Sequence, residues 1–283
     1  MNQVFYSAHA KKEVLHAYDD LLGSTGYTYE KTYVSTRYGE TFLLACGDKN
    51  APPLILLHGS SMNSIMWAKD MQHYGERFRV YAPDLPGEPG RSVEAQLPFD
   101  TMDYAKWLSD VMHSLGIDKV SLIGISLGAW LSVKFAAYNA ERVTKLGLMC
   151  PSGIGSQNAA FKDIALSLLS KGEQGADELL AQISGSVQIP KGMLDYQKLI
   201  AASFNSRKEP IPLFTDDALR KLTMPSILYF GADDILLHAQ EAVERFRNLV
   251  PAGEAFLLAG KGHSLTGLSD QMLAFLMENH PTA

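Results

Sequence analysis

Apolar positions along this chain fall into two rhythms. At 54–57 four apolar residues run unbroken behind Pro52 and Pro53, as expected of a strand buried on both faces. The same pattern recurs at 80–82, 120–123, 146–149, 226–230 and 255–258. Between these runs, apolar residues return at three- and four-residue steps over 103–115, 127–138, 239–249 and 265–278, which predicts helices. Upstream, Val14, Leu15, Tyr18, Leu21 and Leu22 mark an amphipathic helix stopped by Gly23. KTYVSTR and ETFLLAC then read as two strands split by the Tyr38-Gly39 turn. Strands alternating with helices of this length predict right-handed βαβ crossovers and an α/β fold, a mainly parallel sheet covered on both faces.

One stretch breaks the alternation. From Ser152 to Phe214 no buried strand occurs, and the composition shifts to Ser, Gly, Gln and amphipathic pieces such as FKDIALSLLS and ADELLAQIS. About sixty residues is too long for a structureless loop in a compact domain. The expected organisation is a core from 1–150 and 215–283 with a helical insertion at 151–214. The insertion either pads the sheet edge or forms a lid over a pocket.

Composition narrows the function. The chain has 283 residues, 46% hydrophobic and 20% charged, ordinary for a globular protein with a sizeable core. Its net charge of −6, without a long basic run, argues against a nucleic-acid groove or a dock for anionic membranes. Cys46 and Cys150 make neither a disulfide framework nor a zinc cluster. The start, MNQVFYSAHAKKEVLHAYDD, lacks the apolar core of a secretory signal, and no eighteen apolar residues run together. A cytoplasmic protein is expected.

Against this background the chemistry gathers at predicted strand ends. Gly124-Ile125-Ser126-Leu127-Gly128 sits between an apolar run and a helical pattern. A nucleophile at such a sharp turn takes a strained backbone, and flanking glycines let strand and helix approach without a Cβ clash. The helix N-terminus then favours developing negative charge. Ser126 is the candidate nucleophile; the competing reading is a helix N-cap. A serine hydroxyl needs a base. Of eight histidines, His9, His16, His73 and His113 read as solvated. His238 opens a helix pattern, and His280 lies near the chain end. His263 follows the last apolar strand, where catalytic groups of parallel sheets collect, and is the candidate base. The orienting acid is expected between Ser126 and His263 in the chain, where Asp233 and Asp234 close a strand. Asp234 is favoured over Asp233. His58-Gly59-Ser60-Ser61 follows the 54–57 strand and should supply an oxyanion hole with the Leu127 N–H, from Ser60 in preference to Ser61. His58 itself reads as a structural residue.

These pieces together resemble the α/β-hydrolase family: LILLHGSS, YAPDLPGEPGRS, LIGISLGAW, ILYFGADD and AGKGHS stand in family order. More narrowly, YVSTRYGETFLLACGDKNAPPLILLHG, DYAKWLSDVMHSLGI and FTDDALRKLTMP look similar to the carboxylesterase NP (naproxen esterase) type. The resemblance implies an eight-stranded, mostly parallel sheet, a cap inserted after the sixth strand, esterase-like hydrolysis and no cofactor. By position, Ser126 matches the family nucleophile, Asp234 the acid and His263 the base. One departure stands out. The family loop reads Asp-x-x-Gly-x-Gly-x-Ser, whereas residues 84–92 here carry an extra residue containing Pro89.

Weaker signals have plainer readings beside them. Asp84 is a second catalytic acid or the cap of a rigid turn. Cys150 borders the pocket or is a small buried residue. Met62, Met66 and Trp67 line an acyl pocket or pack their helix. Ser61, Met62 and Cys150 are the candidates for substrate contact. No metal site is expected, and Gly153-Ile154-Gly155 falls short of a dinucleotide fingerprint. The leading expectation is a serine hydrolase cleaving esters of small, largely apolar molecules, with no nucleic-acid or membrane partner and monomer or homodimer both open. The same triad also serves lactones, C–C bonds, amides or acyl transfer. A ligand-binding receptor that has lost turnover is the reading from another class.

Overall fold

The computed structural model describes residues 3–278. Helix α1 (Ala8–Ser24) precedes an antiparallel hairpin, β1 (Glu30–Thr36) and β2 (Gly39–Cys46). Then follow β3 (Pro53–Leu57), α2 (Ala68–Gly75), β4 (Arg79–Pro83), α3 (Asp103–Ser114), β5 (Val120–Ile125), α4 (Leu127–Tyr138) and β6 (Val143–Met149). Three helices, α5 (Phe161–Leu169), α6 (Glu173–Ser184) and α7 (Lys191–Ser203), separate β6 from the next strand. The chain closes with α8 (Asp216–Arg220), β7 (Ser226–Gly231), α9 (Ala239–Leu249), β8 (Gly253–Leu258) and α10 (Ser269–Met277). The eight strands form one sheet in the order β1-β2-β4-β3-β5-β6-β7-β8. Only β2 breaks the parallel run, lying antiparallel to both β1 and β4.

The centre of the sheet explains the continuous apolar runs. Every residue of β5 is buried, between β3 and β6. Helix α4 crosses beneath it with Leu127 to Ala137 all buried, so it is apolar on every face rather than amphipathic. Its one cation, Lys134, donates to the Phe99 carbonyl at 2.6 Å and lies 4.7 Å from the Trp130 ring centre.

Two expectations differ in detail. The helical pattern from 265 becomes a helix only at Ser269, because Gly267 takes a left-handed conformation (φ 74°) that ends any continuous turn. The 255–258 run reads like a central strand, yet β8 is the sheet edge, with Phe256 and Leu257 39% and 38% exposed. An apolar run records side-chain character and not whether a ninth strand covers it. No helix among the described residues is long and apolar enough to cross a membrane.

Candidate active site

Ser126 joins β5 to α4 with φ 53° and ψ −112°, a conformation L-residues rarely adopt. Its glycine neighbours are required by sterics. A Cβ on Gly124 would stand 2.5 Å from the Gly128 carbonyl carbon, and one on Gly128 would stand 2.1 Å from the Leu57 oxygen. The turn is held by the Ser126 N–H donating to Met149 O at 2.9 Å.

Opposite the hydroxyl stands the His263 ring, with Nε2 at 2.8 Å from Ser126 Oγ and Nδ1 at 2.7 Å from Asp234 Oδ2. A carboxylate only accepts, so Nδ1 carries the proton and Nε2 accepts from the serine hydroxyl. Oδ1 of Asp234 accepts the Leu236 and Leu237 N–H groups at 2.8 and 3.1 Å. Asp233 is exposed, its backbone N–H spent on Lys261 O. The β7 and β8 loops meet closely enough that a Cβ on Gly231 would lie 2.1 Å from Gly262 O. That approach brings Asp234 and His263 together.

The other side of the site is a loop, 58–64, the one expected to supply an oxyanion donor, laid against a second loop, 84–91. His58 is fully buried; its Nε2 accepts the Leu85 N–H at 2.8 Å, so its proton sits on Nδ1, 2.8 Å from Gly59 O. Burial drives its pKa down to about 4, which keeps the ring neutral. Asp84 accepts the Ser64 N–H and hydroxyl at 2.9 and 2.6 Å and the Arg91 N–H at 2.8 Å. Burial still raises its pKa against these bonds. Asp84 therefore ties the start of the Ser64–Trp67 3-10 helix, whose N-cap is Asn63, to the 84–91 loop. Ser61, with φ 56°, donates its N–H to Glu88 Oε2 at 2.7 Å. The N–H groups of Ser60 and Leu127 have no acceptor among the described residues, and Gly59 brings this loop against Ser126, a Cβ there standing 3.6 Å from the Ser126 Cβ. Leu127 opens α4, where the first N–H groups have no partner within the helix.

The remaining sequence candidates divide. Met62 is buried in the core, and Ser61 Oγ lies 3.2 Å from Ser206 Oγ. Cys150 is fully buried with φ 41°, its Sγ 3.9 Å from Gly262 O. Cys150, Asp234 and His263 bring potential ligand atoms within 4.8 Å of one another. Burial holds the thiol pKa well above its usual range, and the Asp234 and His263 atoms already share a proton. This donor set suits a relay better than a cation. Met66 and Trp67 line a cleft of about 40 Å³ with Ile125, Met149, Leu265 and Leu268. His73 lies 3.0 Å from Asp270 rather than free in solvent; His9, His16, His113 and His238 are exposed, and His280 lies outside the described residues.

Pattern reading missed three residues around the site. Glu88 is 4% exposed, and burial pushes its carboxyl up to about 8. Asn63 donates to Pro89 O at 2.8 Å and to the Tyr196 hydroxyl at 2.7 Å. Arg207 lies 3.8 Å over the Phe99 ring and donates to Leu97 O. The extra residue containing Pro89 was the one available signal, and it marked the 84–92 loop without singling out Glu88. The 151–214 segment reaches both sides of the site: Ser264 donates to Ile183 O at 3.2 Å, while Tyr196 and Ser206 touch the oxyanion loop.

Comparison with known proteins bears on the family and the fold. The model of the alpha/beta hydrolase family matches residues 54–276. The chain is 32% identical over 260 residues to carboxylesterase YbfK of Bacillus subtilis, covering 88% of this chain and 87% of that one. It is 30% identical over 244 residues to the carboxylesterase nap of the same organism, covering 83% and 80%. The crystal structure of YbfK superposes with a TM-score of 0.85 at 31% identity over 95% of this chain and 99% of that one. The Bacillus subtilis naproxen esterase gives 0.79 at 29% over 88% and 90%. The matched span runs from β3 into α10, more than half of the chain. On that ground the chain belongs to the alpha/beta hydrolase family.

Proposed function

We propose that the protein is a serine carboxylesterase acting on esters of small, largely apolar molecules. One observation carries the reading: a single imidazole donates to Asp234 at 2.7 Å and accepts from Ser126 Oγ at 2.8 Å. Similarity to carboxylesterases over most of the chain supports it.

In the first half-reaction Ser126 Oγ adds to the ester carbonyl carbon while His263 Nε2 takes its proton. The carbonyl π pair moves onto oxygen, and the N–H groups of Leu127 and Ser60 receive that oxyanion. Collapse expels the alkoxide, which takes the proton back from Nε2 and leaves as the alcohol. Water then adds to the acyl-enzyme by the same route, releasing the acid and restoring Ser126. Asp234 fixes the tautomer and stabilises the imidazolium without accepting the proton. The 151–214 insertion serves as the lid.

The test is turnover of p-nitrophenyl acetate, butyrate and octanoate by wild type and Ser126→Ala, with fluorophosphonate labelling of both. Expected are labelling of the wild type alone and loss of turnover in the variant. Undiminished hydrolysis by folded Ser126→Ala removes the mechanism. Labelling without ester turnover moves the activity to another acyl substrate, with lactones and amides next in the panel.

A further inference from the structure

Glu88 is a buried carboxylate that the hydrolytic cycle does not use. It belongs to the lengthened 84–92 loop, and its one hydrogen bond to the oxyanion loop goes from the Ser61 N–H to Oε2, at 2.7 Å. Three features make this contact more than packing. Ser61 is held at φ 56°, a left-handed conformation that a non-glycine residue keeps only where its surroundings impose it. The neighbouring Pro89 carbonyl accepts from Asn63, which is fully buried, so two adjacent residues of the lengthened loop grip the oxyanion loop at two points. The peptide that Glu88 holds directly follows Ser60, whose N–H has no acceptor among the described residues.

We propose that Glu88 is a positioning residue of the hydrolysis: by accepting the Ser61 N–H it fixes the loop on which the Ser60 N–H meets the oxyanion. The proposal rests on the esterase reading above. Its physical basis is that an oxyanion donor stabilises the transition state only if it stands at the right place before charge develops. Arg207, whose charge acts on the Glu88 carboxylate, and Ser206, against Ser61 Oγ, tie the same loop to the cap. What Glu88 must supply is an acceptor oxygen at the end of a side chain of this length. Charge alone does not meet the requirement.

Three variants separate acceptor, reach and charge. Glu88→Leu removes the acceptor, Glu88→Asp keeps the carboxyl group but withdraws its oxygens by one methylene, and Glu88→Gln keeps an acceptor oxygen at full reach on a group that cannot ionise. With p-nitrophenyl acetate, Leu and Asp are expected to lower kcat about 10- to 100-fold with KM changed less than about threefold, the signature of a lost transition-state contact. Gln is expected to recover kcat to within about fivefold of wild type. Should the Leu protein fail to fold, the order Gln above Asp still decides. Asp equal to or above Gln, kcat within twofold of wild type in Asp or Leu, or a loss carried by KM overturns the proposal. Ser126→Ala run alongside reports on the esterase reading itself. If it abolishes turnover while Glu88→Asp stays at wild-type kcat, only the positioning role falls.

Discussion

The two halves of the proposed catalytic site are built differently. On the acid–base side a short file of groups is joined by few bonds: Ser126 to His263, His263 to Asp234, and Asp234 to the Leu236 and Leu237 N–H groups. On the oxyanion side His58, Ser61, Asn63 and Ser64 are each bonded to the facing loop, through Leu85, Glu88, Pro89 and Asp84 respectively. The contrast follows from the work of each half. Moving a proton requires groups whose bonds change in the cycle. Presenting an N–H requires a backbone that does not change, and that is built by burying polar groups and pairing each of them.

Substitutions can break this contrast, the largest effect falling on the file. Ser126→Ala should cut kcat by at least about 10⁴-fold, leaving the oxyanion donors and binding to supply any residue of catalysis. Asp234→Asn should follow at about 10²- to 10⁴-fold, because an amide no longer holds the imidazole in the accepting tautomer. Asp233→Asn, exposed and apart from the imidazole, should stay within about twofold. All three should shift unfolding little, and urea melts alongside kcat measurements check that separation. A large kcat loss in Asp233→Asn would mean that the loop after β7 rearranges in solution.

How far this contrast is legible from the chain alone depends on where each partner lies. Ser126, Asp234 and His263 each close a continuous apolar run, and the ends of such runs meet at one sheet edge whatever the loops do. Choosing Asp234 over Asp233 was a weaker inference, since both occupy one turn and only the approach of Gly231 to Gly262 decides which faces the ring. Glu88 had only an insertion to mark it, and its partner Ser61 stands 27 residues earlier. Arg207 had no signal, because a guanidinium over Phe99 is a contact between distant segments that periodicity does not encode. Likewise α10 starts late and β8 is an edge for reasons of backbone conformation and strand neighbours.

The oxyanion half should instead lose stability. Asp84→Ala leaves the Ser64 N–H, the Ser64 hydroxyl and the Arg91 N–H without their acceptor in a fully buried place. A cost of about 3–4 kcal/mol is expected from such a stranded network. Denaturant unfolding should show it as a lower midpoint with an unchanged slope. A loss under about 1 kcal/mol would mean that water reaches the turn, and that the pairing matters less than its burial suggests.

The smallest effect reports on Glu88 through pH. Its carboxyl is raised by burial from 4.5 to about 8, with the Ser61 N–H and Arg207 acting in the opposite direction. Tyr104, the other titratable group facing it, has its own pKa raised, mainly by burial. Between the two Glu88 values the folded protein holds a proton that the unfolded chain has released, so stability falls as pH rises through this window. Below 4.5 both states are protonated and above about 8 both are ionised, so the contribution is flat outside it. Glu88→Gln has no such proton, and comparing it with wild type cancels the titration of every other group. From pH 6 to 7.5, one proton's difference is worth about 2 kcal/mol, by which the Gln protein should gain on wild type. Parallel unfolding curves across that range would mean that Glu88 is ionised in the folded protein at neutral pH. The oxyanion loop would then be gripped by a full charge paired with Arg207, and its bracing would lie closer in kind to the acid–base half than the burial of Glu88 implies.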